Sequence, residues 1–465
     1  MELLGPPAEP GDYLSEFRTA AILLRSLVLN KKIGARIIVE FFILLIGLTV
    51  LAFSVSPKIQ SDGQVRYEAV TSLLNGDVPK IKYSLVQPVL TLPLAQLAKY
   101  MGWDLKRTVS YFNLLAFYFI GSLIFILIID VYGLSIALKA FILLLSSSML
   151  PYHLEQYFGE VISSLLVVAG FLFAVKNSKI TYLFLALGVA NTPAILVPTG
   201  LVSILLIKKN PIVFKGVLFA IVLIVLENYL KFGGISNSPY QSAAEKGFKT
   251  MLPYSGLPSF SYPIFFGILS ILLSFGKGIL FYIPGLFLFV KNKILSYLGV
   301  KNIYGVAILF FTIGLILIYS KWWAWYGGNF WGPRFFLILT FPASLALAAL
   351  LSIKKRVPES ILMIFVLTLS TWVGIDGNVF AQKNMEQCWA NNYYLESLCW
   401  YVPSFSALWR PFVVMDTQHI LEAVINSKMH FFVLWQVFVW GYLVLYGVYG
   451  IFVKALLDNL LVENE

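Results

Sequence analysis

Asp62 has the clearest chemical opportunity in this chain. It stands in Ser61-Asp62-Gly63-Gln64-Val65-Arg66-Tyr67, just after the first long apolar run. Ser61 and Gln64 have capping-box spacing, which predicts a helix beginning here and running to Asn75-Gly76. A carboxylate in that first turn favours the positive end of the helix. The same carboxylate, held at a membrane edge, can also take the proton of a hydroxyl that reaches it. The residue types leave both roles open.

The cations nearby point to an anion. Residues 57–108 carry Lys58, Arg66, Lys80, Lys82, Lys99, Lys106 and Arg107 against Asp62, Glu68, Asp77 and Asp104. The topology argued below places this stretch outside, where loops beside spans are usually poor in Lys and Arg. The excess suits a phosphate group; snorkelling to lipid headgroups is the alternative. Lys277 lies between Gly276 and Gly278, so the backbone there can approach a ligand closely. Trp331-Gly332-Pro333-Arg334 puts a guanidinium at the outer end of a span, where it can hold phosphate oxygens in a bidentate fork. Trp322, Trp323, Trp325 and Tyr326 before it read as an interfacial aromatic belt.

Further ionisable groups sit at span edges. Tyr152-His153-Leu154-Glu155 and Glu160 lie at one exterior mouth. His153 and Glu155 would hold a metal, line an acceptor site, or simply be solvated. Glu160 opens an apolar helix and is the stronger candidate, with Glu227 a weaker case of the same kind. Glu40, four residues after Arg36, reads as its helical partner. Cys388 and Cys399 fall in one exterior segment, where they can form a disulfide or remain two small unpaired residues. Three histidines and two cysteines in 465 residues do not suggest a metal cluster.

These groups must be positioned by helices in a bilayer. Hydrophobic residues make up 59% of the chain and charged residues 12%, about half the charge of a soluble domain. Apolar runs near the roughly 20 residues of a spanning helix recur throughout. The net charge of +11 reflects basic clusters on the inner side rather than nucleic-acid binding. Lys31, Lys32 and Arg36 place the N-terminus in the cytoplasm. Spans are expected at about 37–56, 109–130, 134–150, 160–175, 211–230, 279–290, 303–320, 335–351, 360–375 and 431–453. Residues 180–207 enter and return, broken at Asn191-Thr192-Pro193. Residues 12–30 read as an amphipathic surface helix or a packing helix. The result is an all-α polytopic membrane protein. It has a cytoplasmic N-terminal segment 1–36, one transmembrane catalytic domain 37–454 and a cytoplasmic tail 455–465. Its large exterior loops are 57–108, 231–277 and 376–430.

Three segments carry a resemblance. Asp62-Gly63-x-x-x-Tyr67, Leu73-Leu74-Asn75-Gly76-Asp77-Val78-Pro79, Tyr83-Ser84 and Pro88-Val89-Leu90-Thr91-Leu92-Pro93-Leu94 are the first. Ser274-Phe275-Gly276-Lys277-Gly278-Ile279-Leu280-Phe281-Tyr282-Ile283-Pro284 and Trp325-Tyr326-Gly327-Gly328-Asn329-Phe330-Trp331-Gly332-Pro333-Arg334-Phe335 are the others. In this order they resemble the GT-C superfamily of membrane glycosyltransferases. Those enzymes use polyprenyl-phosphate sugars and include protein O-mannosyltransferases and the lipid A aminoarabinose transferase.

The resemblance implies a GT-C-like fold of about 11–13 transmembrane helices with short interfacial helices in its exterior loops. It implies Asp62 as catalytic carboxylate, with Lys277, Arg334, Lys80, Lys82 and Lys106 towards the donor phosphate. Tyr67, Tyr83, Glu160, His153 and Glu155 would line the acceptor or sugar site. Many relatives have a second acidic residue after the Asp, and Gly63 stands there instead. A divalent metal is therefore left unassigned. The expected function is inverting sugar transfer to a lipid, glycan or protein hydroxyl at the outer face of a bacterial or archaeal cell membrane. A secondary transporter or flippase of lipid-linked sugar is the rival, favoured by the broken stretch at residues 191–193.

Overall fold

A computed structural model describes residues 34–234, 250–255, 257, 260–298, 303–353 and 355–462, and side chains at all of these except 304, 382–384 and 449–462. The surface helix expected over residues 12–30 and the Lys31-Lys32 pair lie outside the described residues. Among the described residues, six helices are long and apolar enough to cross a membrane, and six shorter apolar helices accompany them. The chain is thus an all-α membrane protein.

The first span, α1 (Ala35–Ser54), buries Glu40, Ile43, Leu44, Gly47 and Leu51, a stripe at helical spacing. Its other faces leave Phe41, Phe42, Ile46 and Phe53 exposed, as lipid contact requires. Gly47 is needed because the Trp435 ring occupies the space a side chain would take, and the indole donates to the Ile43 carbonyl at 3.0 Å. Two helices follow, α2 (Asp62–Leu74) and α3 (Val86–Met101). Next come α4 (Leu105–Tyr132), α5 (Leu134–Ser146) and the single turn α6 (Leu150–Leu154). Then α7 (Gly159–Val175) leads to α8 (Thr181–Asn191) and α9 (Leu196–Leu206), separated at Asn191-Thr192-Pro193 as the sequence predicts.

The second half holds α10 (Pro211–Phe232), α11 (Ile264–Leu273), the single turn α12 (Ile279–Tyr282), α13 (Ile303–Ser320), α14 (Thr340–Ser352), α15 (Val357–Val379) and α16 (Ala381–Tyr393). The short α17 (Glu396–Tyr401) and the long α18 (His430–Val462) close it. Every side chain of α5 beyond Ser135 is buried, as is nearly all of α14, so these two form the centre.

Three expectations are corrected here. The stretch 231–277 is not all loop, because α11 lies within it and packs its Gly267 against the Ser320 carbonyl of α13. The span expected at 279–290 is α12 plus a 3-10 turn, Pro284–Val290, since Pro284 cannot continue an α-helix. The last helix runs through Val462, so the expected tail from residue 455 is largely helical.

Candidate functional site

The loop between α1 and α2 is bound to the strand-like segment before α7. Lys58 N–H donates to the Glu155 carbonyl at 2.7 Å and its own carbonyl accepts from Tyr157 at 3.3 Å, a parallel bridge. Asn113 of α4 donates to the carbonyls of Gln156 and Phe158 at 2.7 and 2.9 Å. Thr91 of α3 meets the Tyr157 hydroxyl at 2.8 Å. Buried polar groups so paired hold a fixed geometry. They carry Phe158, Gly159 and Glu160 to the start of α2.

Asp62 begins α2 as expected, though Ser61 makes no side-chain cap and Gln64 turns instead to Glu68 at 3.0 Å. Ser61 has φ +47°, a strained conformation for a residue with a side chain. Gly63 is small because its neighbour is close. A side chain there would start 2.9 Å from the Tyr157 carbonyl, on backbone held by the bridge.

Arg334 faces Asp62 at 2.6 Å and Glu160 at 3.6 Å. Its Nε donates to the Gly327 carbonyl at 2.6 Å, and its guanidinium carbon lies 4.9 Å from the Phe158 ring centre. The guanidinium is buried, and Nη1 has no hydrogen-bond partner among the described residues. Burial alone would raise the Asp62 carboxyl, but Arg334 and a hydrogen bond from Tyr83 outweigh it and hold it down at about 2. Burial and the Asp62 carboxylate push the Tyr83 hydroxyl well up, so it remains a donor. Tyr83 itself is fixed from behind. Glu227 accepts from Ser84 Oγ at 2.8 Å and Leu85 N–H at 2.9 Å, while Lys231 pairs with Glu227 at 2.7 Å and donates to the Tyr83 carbonyl at 3.0 Å.

Lys277 has a different setting from the one its glycines suggest. Its ammonium donates to the carbonyls of Gly328, Phe330 and Gly332 and lies 4.9 Å from the Trp400 ring centre. An ammonium has three donors, so these carbonyls use all of them. Gly327, Gly328 and Gly332 take positive φ, which turns the carbonyls inward and aims Arg334 at Asp62. In this arrangement Lys277 holds the Arg334 loop. Gly276 and Gly278 are small for packing, since a side chain at Gly276 would strike the Cys399 carbonyl and one at Gly278 the Ser274 carbonyl.

The other candidates divide. Lys82 is exposed but near enough to help depress Asp62, and lies 4.9 Å from the Tyr83 ring centre. Lys80 is exposed, and exposed Lys106 lies 5.9 Å from the ring of Tyr67. His153 is buried rather than solvated, packed against Tyr152 and Trp331. Burial, with Arg334 and Lys277, takes it down to about 3 and keeps it neutral. Glu155 receives the Ser56 N–H at 3.5 Å, and burial raises its carboxyl. Trp325 and Tyr326 are buried, not part of a belt, and buried Trp331 donates to Asp376 at 2.5 Å. Cys388 and Cys399 are bridged, with Cα atoms 5.9 Å apart.

Sequence reasoning assigned no site role to Asp376, and gave Arg66 only a share in the basic excess of residues 57–108. Asp376 had a signal, a lone carboxylate in an apolar helix. Arg66 was one of many loop cations, and nothing in the spacing marked it as buried. For a divalent metal the fit is poor. Asp62 and Glu160 converge on one guanidinium, and among the described residues no three His, Cys, Asp or Glu side chains gather as ligands. The chain matches no family model, no curated protein and no solved structure.

Proposed function

We propose that the chain is a membrane glycosyltransferase of the GT-C type, moving a sugar from a polyprenyl-phosphate donor to an acceptor hydroxyl. The observation that carries this reading is the pairing of Asp62 with buried Arg334 at 2.6 Å in a loop at the membrane edge. An inverting transfer needs a carboxylate to take the acceptor proton and a cation to receive the charge of the leaving phosphate. The two stand side by side, held by the Tyr83 anchor and the Lys277 cage.

Asp62 takes the acceptor proton as the acceptor oxygen attacks the anomeric carbon. The bond from that carbon to the phosphate oxygen breaks, and the lipid phosphate leaves with its charge facing Arg334. Lys277, Lys80 and Lys106 have other partners or stand exposed, so Arg334 is the cation this reading relies on. The site lies outside, with both termini cytoplasmic, by the basic clusters read above. The feature that favoured a transporter is spent on structure. Asn191 accepts from Gln87 N–H at 3.1 Å and donates to the Gly159 carbonyl and Ser163 Oγ, both at 2.8 Å.

The test uses purified full chain, a radiolabelled polyprenyl-phospho-sugar and a hydroxyl acceptor. Sugar transfer with release of lipid phosphate is expected, and Asp62→Asn should abolish it while donor still binds. Full turnover by that variant would remove Asp62 as base, and solute uptake into proteoliposomes without transfer would favour the transporter.

A further inference from the structure

Arg66 is a buried cation with no acidic partner among the described residues. It is 5% exposed, its Nε has no hydrogen-bond partner, and Nη1 reaches only the Ser84 carbonyl at 3.5 Å. Its guanidinium carbon lies 4.9 Å from the centre of the Tyr83 ring. A buried charge is costly unless paired. The neighbours deepen the imbalance. The guanidinium lies against Gly159, where a side-chain carbon would be 2.4 Å from Nη2. Gly159 is the first residue of α7, a helix of 17 residues whose N-cap, Phe158, offers no side-chain acceptor. The first N–H groups of a helix have no partner within it, and that end carries partial positive charge. Packing an arginine there is unfavourable unless an anion joins them.

Arg334 reaches the same turn. Its guanidinium covers Phe158, it reaches Glu160, and its Nη1, like Arg66 Nε, is buried without a hydrogen-bond partner among the described residues. Arg66, Arg334 and Lys82 are opposed there by Asp62 and Glu160, which Arg334 already engages.

We propose that Arg66, Arg334 and the first turn of α7 form a pocket for one phosphate group, with Arg66 as its unassigned ligand. The identification of that phosphate with the donor's leaving group rests on the transferase reading; the pocket itself does not. A phosphate oxygen would accept from Arg66 Nε and another from Arg334 Nη1, while the α7 N–H groups face the same charge. Gly159 is glycine because a methyl group would move the Arg66 fork out of this position.

The experiment measures binding to detergent-solubilised full chain, by thermal shift and equilibrium titration, without any transfer reaction. The probes are farnesyl phosphate, farnesol and inorganic phosphate. Farnesyl phosphate should bind and stabilise, and farnesol should not. Arg66→Gln, Arg66→Lys and Gly159→Ala should each weaken farnesyl phosphate by about ten- to a hundred-fold, with exposed Lys209→Gln unchanged. Ligand-free Tm separates a ligand from a merely structural arginine. Removing an unpaired buried charge should leave it unchanged or raise it while removing the phosphate-induced gain. Competition by millimolar inorganic phosphate with equal stabilisation would assign the pocket to free phosphate; its failure to compete would assign it to a lipid headgroup. Parent-like binding by both Arg66→Gln and Gly159→Ala, or a ligand-free Tm that collapses in all three pocket variants, would overturn the proposal. The Asp62→Asn transfer result would be untouched by either.

Discussion

A carboxyl held at about 2 is a weak base, and that property belongs to single contacts. Arg334 and Tyr83 depress Asp62 by stabilising its charged form. When a phosphate draws Arg334 towards itself, Asp62 loses part of that stabilisation and becomes more basic as the donor settles. Two consequences follow for pH. The acid limb of kcat/KM, which reports the free enzyme's base, should lie near pH 2, beyond the usual carboxylate range, and Arg334→Lys should move it upward. For stability the sign follows from a folded value below the ordinary 3.8. The Asp62 contribution is fully present above about pH 4 and is lost as pH falls towards 2. The Tm difference between parent and Asp62→Asn should therefore be constant at neutral pH and shrink on acidification; a difference that grows towards acid would contradict the ion pair.

Elements, rather than residues, keep these groups in place. The turn from Gly327 to Gly332 has no regular backbone pairing of its own, and Lys277 supplies it by gathering three carbonyls. Lys277→Met would leave those carbonyls buried without donors, at about 1–3 kcal/mol for each one that water does not reach. The expected outcome is a lower Tm and lost transfer with Asp62 untouched, read by unfolding in detergent and the transfer assay. The Cys388–Cys399 bridge works on the neighbouring element. It closes a separation of 11 residues, and Trp400, next to Cys399, covers Lys277. Reduction should cost about 3 kcal/mol and loosen Trp400, seen as a shift in tryptophan fluorescence before global unfolding. The helices were legible in the sequence because a bilayer leaves the backbone few other choices. The turns were not. Pro284 ends a helix inside an apolar run that composition reads as a span, and α11 sits in what charge placement reads as a loop.

The molecule as a whole gathers its site from elements far apart in the chain, and α10 is one of them. Glu227 and Lys231 on α10 pin residues 83–85 without touching Asp62. Glu227→Gln should therefore lower transfer by roughly ten- to a hundred-fold through a displaced Tyr83, with the Asp62→Asn phenotype unchanged on top of it. Parent-like turnover by Glu227→Gln would show that Tyr83 does not need this anchor. At this scale the sequence was informative about Asp62, Glu160 and Arg334, whose types and membrane-edge positions are unusual. It did not single out Arg66 from the other loop cations, because its burial depends on a glycine 93 positions away against which it packs.

The Asp62–Arg334 contact joins residues 272 positions apart, and this separation has a meaning for biogenesis. At roughly 5–20 residues per second of synthesis, Asp62 leaves the ribosome about 14–54 s before its partner. In the later part of that interval α1, α2 and α7 are already present, with Glu160 and Asp62 lacking Arg334. The nascent chain is then a half-built bundle carrying acidic groups beside lipid, the state that membrane chaperones and proteases inspect. Chains terminated before residue 334 should be degraded in cells much faster than chains ending after it, and pulse-chase turnover of the two lengths would measure the difference.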